Sequence, residues 1–221
     1  DGTNSTDQSI TVSITNVNDN SPVFTSSASF TAEENQLSIG TVTATDADDD
    51  TLSYTLSGTD ASSMSIGSSS GILVFATAPD YEAKSSYTAT VTASDGTDTT
   101  TQDITVIITD VDDVAPVFTS GSTFSVAENQ LSIGTVTATD VDTDNSSITF
   151  IISGTELSIN SSTGVLTFAA APDYETKSSY SATVTASDGT NSTDQSITVS
   201  ITNVNDNSPV FTSSASFTAE E

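Results

Sequence analysis

Cysteine, histidine and tryptophan are absent from the 221 residues, and with no arginine Lys84 and Lys177 are the only cations. Imidazole catalysis, thiol chemistry and zinc sites built on Cys or His are therefore excluded. Thirty acidic residues against two lysines leave a formal charge of −28. Such a surface cannot neutralise a row of phosphates or dock on an anionic lipid leaflet, so nucleic acid and acidic membranes are poor partners. Without disulfides, stability must come from a core or from bound ions. The hydrophobic share is 34%, no apolar run of membrane-spanning length occurs, and no basic-then-apolar leader opens the sequence. Membrane insertion is not expected of this segment, and any export signal is expected outside it.

Against these absences stands repetition. Residues 1–34 recur letter for letter at 188–221, a period of 187. Inside that period ENQLSIGTVTATD begins at Glu34 and again at Glu128, and APDYE begins at Ala78 and Ala171, offsets of 94 and 93. A unit of this length is one small domain, and the chain reads as an array. With Pro22, Pro116 and Pro209 of the recurring PVF string marking unit starts, whole repeats are expected at 21–114 and 115–207. Residues 1–20 then supply the last strand and linker of a preceding repeat, and 208–221 the first strand of a following one.

Within a unit the apolar period is two: Tyr87, Ala89, Val91 and Ala93 alternate with Thr88, Thr90 and Thr92, and Ile104, Val106 and Ile108 with Thr105 and Ile107. This is the pattern of half-buried strands with β-branched Thr outward. Breaks at Gly58, Gly67, Gly71 and Gly96 separate about seven strands, at 23–31, 37–45, 52–57, 63–66, 72–76, 86–94 and 101–109 in the first unit. The expected fold is all-β: tandem immunoglobulin-like, seven-stranded Greek-key sandwiches.

The negative charge is gathered into short clusters that recur. Asp46/Asp48, Asp140/Asp142, Asp80/Glu82 and Asp173/Glu175 are i, i+2 pairs, which in extended chain aim both carboxylates the same way. Two unit charges 4 Å apart cost roughly 1 kcal/mol in water and about 4 at an effective dielectric of 20. Acids at turns serve solubility, but repelling pairs gathered this way call for a counterion. Oxygen-only, flexible, many-ligand coordination is what calcium takes.

The strings NVNDNSPVF at 16–24 and 203–211, DVDDVAPVF at 110–118, EEN or AEN before QL, TDAD and TDVD, PDYE, and TASDG resemble the repeat signatures of cadherins, in the family's order and at its unit length. The resemblance implies calcium ions between successive domains. For the linker between the whole units it implies Glu34, Asp80 and Glu82 from the first unit, with Asp110, Asp112 and Asp113 from the linker. From the second unit it implies Asp140, Asp142 and Asp188, with a backbone carbonyl from Asn145. Partial sets are implied at the flanking linkers: Asn16, Asn18, Asp19, Asn20, Asp46, Asp48 and Asp95 at one, Glu128, Asp173, Glu175, Asn203, Asn205, Asp206 and Asn207 at the other. The middle linker carries Asp112 where the family has Asn, and Val114 can offer only its carbonyl. The loop 46–54 is short and lacks Asn, which makes the outer ion of the first linker the least secure. The N-terminal Trp through which adhesive vertebrate cadherins dock is missing, so strand exchange of that kind is not expected.

The resemblance implies a calcium-binding extracellular adhesion or structural module. It would be a calcium-stiffened rod in a cell-surface adhesin or extracellular fibre, whose composition is similar to large repetitive surface proteins of bacteria. Adjacent repeats of the same chain are its first partners, with copies of itself or surface glycans as further ones. Two alternatives stay open: a carbohydrate-binding sandwich, and a polymer subunit completed by strands of neighbouring chains. Against the former, Tyr54, Phe75, Tyr81, Tyr87, Phe150, Phe168, Tyr174 and Tyr180 recur at strand positions suited to the core. Asp80/Glu82 have a spacing compatible with an inverting glycosidase pair. Identical catalysis in every repeat is not expected, however, and the chain is read as no enzyme. Lys84 and Lys177, each following PDYE, are expected to be surface partners of those acids.

Overall fold

A computed structural model describes residues 2–142, 147–213, 215, 216 and 218. It divides the chain into two compact units, Asp1–Val111 and Asp112–Glu221.

In the first unit β2 (Ser29–Glu33), β9 (Thr99–Thr109), β8 (Ser86–Ser94) and β5 (Ser53–Ser57) form one sheet in that order. A second sheet has the order β3 (Ser38–Thr41), β7 (Ile72–Phe75), β6 (Met64–Ile66). β8 and β9 make a long antiparallel hairpin running from Ser94↔Thr99 to Ser86↔Ile107, while β2 runs parallel to β9 with Phe30 opposite Val106. A short pair, β1 (Val23–Phe24) with β4 (Ala44–Thr45), completes the unit. The sequence predicts one strand at 23–31 and one at 37–45; each is broken in two. The chain bends after Phe24, where Thr25 and Ser26 both donate to Thr43 O (2.8 and 3.2 Å), and β1 and β2 join different partners. That switch lets one polar-rich segment serve two sheets.

Alternation is obeyed on the central strands: Ala89, Val91 and Ala93 of β8 and Ile104, Val106 and Ile108 of β9 are buried, with Thr90, Thr92, Thr105 and the exposed Ile107 between them. They pack with Leu73, Phe75, Ile39, Val42, Met64 and Tyr54. Burying one such aliphatic side chain contributes roughly 1.5–3 kcal/mol, so a 34% hydrophobic chain closes two small cores by turning most of its large apolar strand residues inward, with Val23, Ile72, Ile107, Val117, Ile151 and Val165 left exposed. Tyr54 brings its hydroxyl to the core edge, where it accepts the Ala44 N–H at 3.0 Å. Gly71 sits at φ +67, and a Cβ there would meet Val42 O at 2.1 Å. Only glycine suits that position, because the backbone of the neighbouring segment passes over it.

The second unit repeats the plan. Its larger sheet is β11 (Thr123–Ala127), β18 (Ser192–Thr202), β17 (Ser179–Ser187), β14 (Thr149–Ile152). The smaller is β12 (Ser132–Thr135), β16 (Val165–Phe168), β15 (Leu157–Ile159), and β10 (Val117–Phe118) pairs with β13 (Ala138–Thr139). Its core holds Val136, Ile148, Phe150, Leu157, Leu166, Phe168, Val184, Ile197, Val199 and Ile201.

One stretch departs from its twin. Residues 2–20 have the sequence of 189–207, yet hold no strand. Ile10, Val12 and Ile14 are 79, 80 and 93% exposed, whereas the corresponding Ile197, Val199 and Ile201 on β18 are buried. The same letters need the rest of a sandwich to become a strand. Among the described residues no helix is long and apolar enough to cross a membrane.

Candidate metal centre

Each unit gathers acids at two places, one at each end of its long hairpin. Asp95 follows β8 in the hairpin turn, while Glu34 directly follows β2, whose last residue Glu33 lies opposite Thr109 at the far end of β9. Eleven residues of strand separate the two ends, roughly 35 Å at about 3.3 Å per residue.

At the far end of the first unit, Glu34 is 2% exposed. Its Oε2 accepts the Tyr81 N–H and its Oε1 the Val111 N–H, both at 2.8 Å. Asn35 takes a left-handed φ of 60°, which Asn tolerates, and its N–H reaches Pro79 O at 2.9 Å. The turn holding Pro79–Tyr81 is thereby clamped beside Glu34. Carboxylate oxygens of Glu34, Asp80 and Glu82 come within 4.8 Å of one another. In the second unit Glu128, Asp173 and Glu175 do the same, with Glu128 accepting from Tyr174 and Val204 N–H at 2.7 Å each. The Thr176 hydroxyl beside Asp173 holds its carboxyl below the usual range. Asn129 donates to Asp206 at 2.6 Å, Asn203 to Glu175 at 3.1 Å and Asn207 to Asp206 at 3.0 Å; Asn205 is exposed on the same segment. Asp110 is exposed beyond β9 in the first unit.

At the hairpin-turn end of the first unit, the loop after β4 curls on itself. Asp46 Oδ1 accepts the Asp48 N–H at 2.8 Å, and Asp49 adopts φ +62 between Asp48 and Asp50. The segment before β1 is tied to this loop. Asp48 Oδ2 accepts from Asp19 N–H (3.0 Å), Asn20 N–H (2.9 Å) and Asn20 Nδ2 (3.0 Å), and Asn16 Nδ2 donates to Asp48 O at 2.8 Å. The amide donor of Asn20, followed by these N–H groups, holds the Asp48 carboxyl below its ordinary range. Asp95 Oδ1 accepts Thr97 and Asp98 N–H at 2.7 Å each, and its pKa is lowered by those bonds, the Asp98 one first. Asp46, Asp48 and Asp95 thus each spend one oxygen on the fold. The remaining Asp46 Oδ2, Asp95 Oδ2 and Asp50 Oδ2, with Asn18 Oδ1, are shielded from solvent and accept no hydrogen bond.

In the second unit Asp142 N–H donates to Asp140 Oδ1 at 2.9 Å, and Asp142 Oδ2 accepts from Asp113 and Val114 N–H at 2.9 and 2.6 Å. Asp188 Oδ1 binds Thr190 and Asn191 N–H at 2.7 and 2.6 Å. Asp112 accepts the Thr190 hydroxyl at 2.9 Å on Oδ2, while its carbonyl accepts Asn191 Nδ2 at 3.2 Å. Asp112 Oδ1, Asp142 Oδ1 and Asp188 Oδ2 are again shielded without a partner. A buried carboxylate oxygen with no donor costs about 1–3 kcal/mol or more, so these atoms fit a cation. The donor set is oxygen only, hard and anionic, which suits calcium. Asn145 lies outside the described residues.

Three expectations need correction. Asp50, which the pair pattern passed over, belongs to the cluster: it and Asp46 and Asp48 bring carboxylate oxygens within 4.8 Å of one another. Burial, then the charges of Asp46, Asp48 and Asp95, push its pKa up. The run Asp46, Asp48, Asp50 at i, i+2, i+4 is the signal that could have found it. Lys84 and Lys177 do not serve the PDYE acids; they pair with Asp60 and Glu156 at 2.5 Å and lie over the Tyr87 and Tyr180 rings. Finally, Tyr81 and Tyr174 are on turns rather than strands. Tyr81 is half-buried against the core and Tyr174 is 36% exposed. Their N–H groups are fixed by Glu34 and Glu128, so the turn serves the acid, and in the first unit Tyr81 also adds to the edge of the core.

The cadherin domain family model matches residues 28–109 and 122–204. Protocadherin Fat 4 of Homo sapiens is 34% identical over 220 residues, covering 91% of this chain and 4% of its own length. Cadherin EGF LAG seven-pass G-type receptor 1 of Mus musculus is 32% identical over 225 residues, covering 94% of this chain and 7% of that protein. The chain therefore spans a small part of these relatives. Among solved structures, human Protocadherin-24 EC1-2 has the same fold, with a TM-score of 0.72 at 22% identity over 85% of this chain and all of that one. The matching motifs, the two sandwiches and these relatives together place the chain in the cadherin family, as a stretch of tandem cadherin repeats.

Proposed function

We propose that this chain is a calcium-binding adhesion and structural segment of an extracellular, cell-surface protein, stiffened by ions held at the ends of its repeats. The observation that carries this reading is the set of shielded, unpartnered oxygens: Asn18, Asp46, Asp50 and Asp95 in one unit, Asp112, Asp142 and Asp188 in the other. Bound there, calcium would neutralise the carboxylates and fasten the incoming segment to the sandwich. The chain's own residues prepare this. Asp48 and Asp142 hold that segment by its backbone N–H groups, and the Asx turns at Asp95 and Asp188 aim one oxygen inward. Glu34, Asp80 and Glu82, and Glu128, Asp173 and Glu175, would hold ions at the other end of each unit. Ions bound at the repeat ends would stiffen the array, read as repeats at 21–114 and 115–207 flanked by pieces of neighbouring ones, into a rod. Its length would project a binding tip, with adjacent repeats as its first partners.

The test is a thermal melt of the 221-residue chain in excess chelator and across a calcium series, with magnesium as control. Ions that bind only the folded state stabilise by about 2.7 kcal/mol per site at a hundredfold excess over Kd. A melting temperature that climbs with calcium and hardly with magnesium is expected; a flat series would remove the calcium rod.

A further inference from the structure

Tension along a tandem array enters each repeat ahead of its first strand and leaves it after its last, so the contacts between those two stretches decide what resists pulling. In the first unit they are neighbours. β2 runs parallel to β9 at the edge of the larger sheet, with five residues in register from Ser29↔Thr105 to Glu33↔Thr109. The ladder is closed at one end by Thr105 N–H on Ala28 O at 2.9 Å and at the other by Glu34 N–H on Thr109 O at 3.2 Å. Alternate residues of a strand face its partner, so the rungs fall on Ala28, Phe30, Ala32 and Glu34. Phe30 lies opposite Val106 and Ala32 opposite Ile108, and the burial of Ala32, Val106 and Ile108 keeps water from that side of the rungs. β1 has a smaller grip: two residue pairs with β4, and Thr25 and Ser26 both on Thr43 O. The second unit repeats the arrangement, with β11 parallel to β18 over five residues, Thr198 N–H on Ser122 O at 2.9 Å and Glu128 N–H on Thr202 O at 3.1 Å.

We propose that the parallel pair β2 and β9, with β11 and β18 in the second unit, is the mechanical clamp of each repeat, and that β1 and β10 add nothing to its strength under tension. The inference rests on the structural half of the function proposed above, not on its ions. Pulling the N-terminal end of β2 against the C-terminal end of β9 slides two parallel neighbours past each other, so all the rungs are strained together. The break after Phe24 makes this possible. By passing the chain from β4 to β9 it sets the entering strand beside the leaving one in a single sheet. A strand at 23–31 paired throughout with β4 would leave no ladder between them. The repeat holds its fold under tension whether or not an ion is bound.

The experiment is single-molecule force spectroscopy of the 221-residue chain in excess chelator. Because the chain has no cysteine, introduced pairs fix the points of attachment, and Ser21, Ala28, Thr59 and Val111 are exposed positions for them. Ala28→Cys with Val111→Cys pulls along the clamp, and Ser21→Cys with Val111→Cys adds β1 to the path. Ala28→Cys with Thr59→Cys pulls across the sheet instead, because Thr59 precedes Asp60, whose N–H reaches Thr88 O, and Thr88 lies opposite Thr105. That direction breaks the rungs one after another. At one loading rate the first two pairs should rupture at the same force and the third at about half of it or less, since forced unfolding follows the barrier along the pulled path. Melts in chelator check that each variant folds. Equal forces for the Ala28/Val111 and Ala28/Thr59 pairs, or a higher force once β1 is in the path, would overturn the inference. Either result leaves the calcium reading untouched, which the calcium series of melts decides separately.

Discussion

Replacing Glu34 by alanine isolates what a buried carboxylate does for the fold before any ion arrives. Its two oxygens accept the N–H groups of Tyr81 and Val111 at 2.8 Å. Charge-assisted bonds of this kind contribute about 1.5–3 kcal/mol each, so their loss costs roughly 3–6. Opposing this, Glu34 has two like charges, Asp80 and Glu82, within 4.8 Å. Asp80 and Glu82 are exposed, so each repulsion is worth between about 0.9 kcal/mol, the value in water, and about 3.5, the value at an effective dielectric of 20. With the carboxylates screened as in water, removing Glu34 returns roughly 2 and the net expected loss in chelator is about 1–4 kcal/mol; less screening makes it smaller. In saturating calcium the repulsion is already neutralised, so the loss should approach the full 3–6 kcal/mol and add the forfeited ion binding. Urea unfolding followed by tyrosine fluorescence, with and without chelator, measures both; Glu128→Ala, with bonds of 2.7 Å, is the replicate in the other unit. A Glu34→Ala chain as stable as the parent in chelator would refute the clamp and leave Glu34 as an ion ligand alone.

Asp60, held below its ordinary carboxylate pKa first by Lys84 and then by the Thr88 N–H, should contribute stability above about pH 3.8 and lose it as pH falls through the lowered value. Asp60→Asn should therefore destabilise by roughly 1–2 kcal/mol near neutral pH, discounted for the exposed lysine, and by progressively less as pH falls below about 3.8 and through the lowered value, as acid titration of both chains will show. Gly71→Ala must strain a φ of +67 and drive a Cβ to 2.1 Å from Val42 O, so it should cost about 3 kcal/mol or more by denaturant melt. Gly164→Ala, with Val136 O at 2.0 Å, should cost as much in the second unit, and a loss under about 1 kcal/mol at either would show that the overlying strand moves freely.

The period-two pattern and the repeated PVF, PDYE and TASDG strings were enough to determine an all-β array of sandwiches, because alternation forces one face of each strand inward whatever its neighbours are. The i, i+2 acids likewise pointed to an oxygen-only cation site. Only the tertiary structure decided which oxygens are spent on the fold and which are left over. Asp48 Oδ2 is consumed by backbone N–H groups brought from another segment and Asp95 Oδ1 by those of its own turn, while Asp46 Oδ2 and Asp50 Oδ2 are left over. It also decided the partners of the two lysines, which reach across to Asp60 and Glu156 rather than to the acids nearby in sequence. Residues 10–14 make the point most plainly. They are letter for letter the heart of β18, yet they stand exposed, because a strand's identity lies in its alternation and its existence in the partner strands that satisfy its backbone.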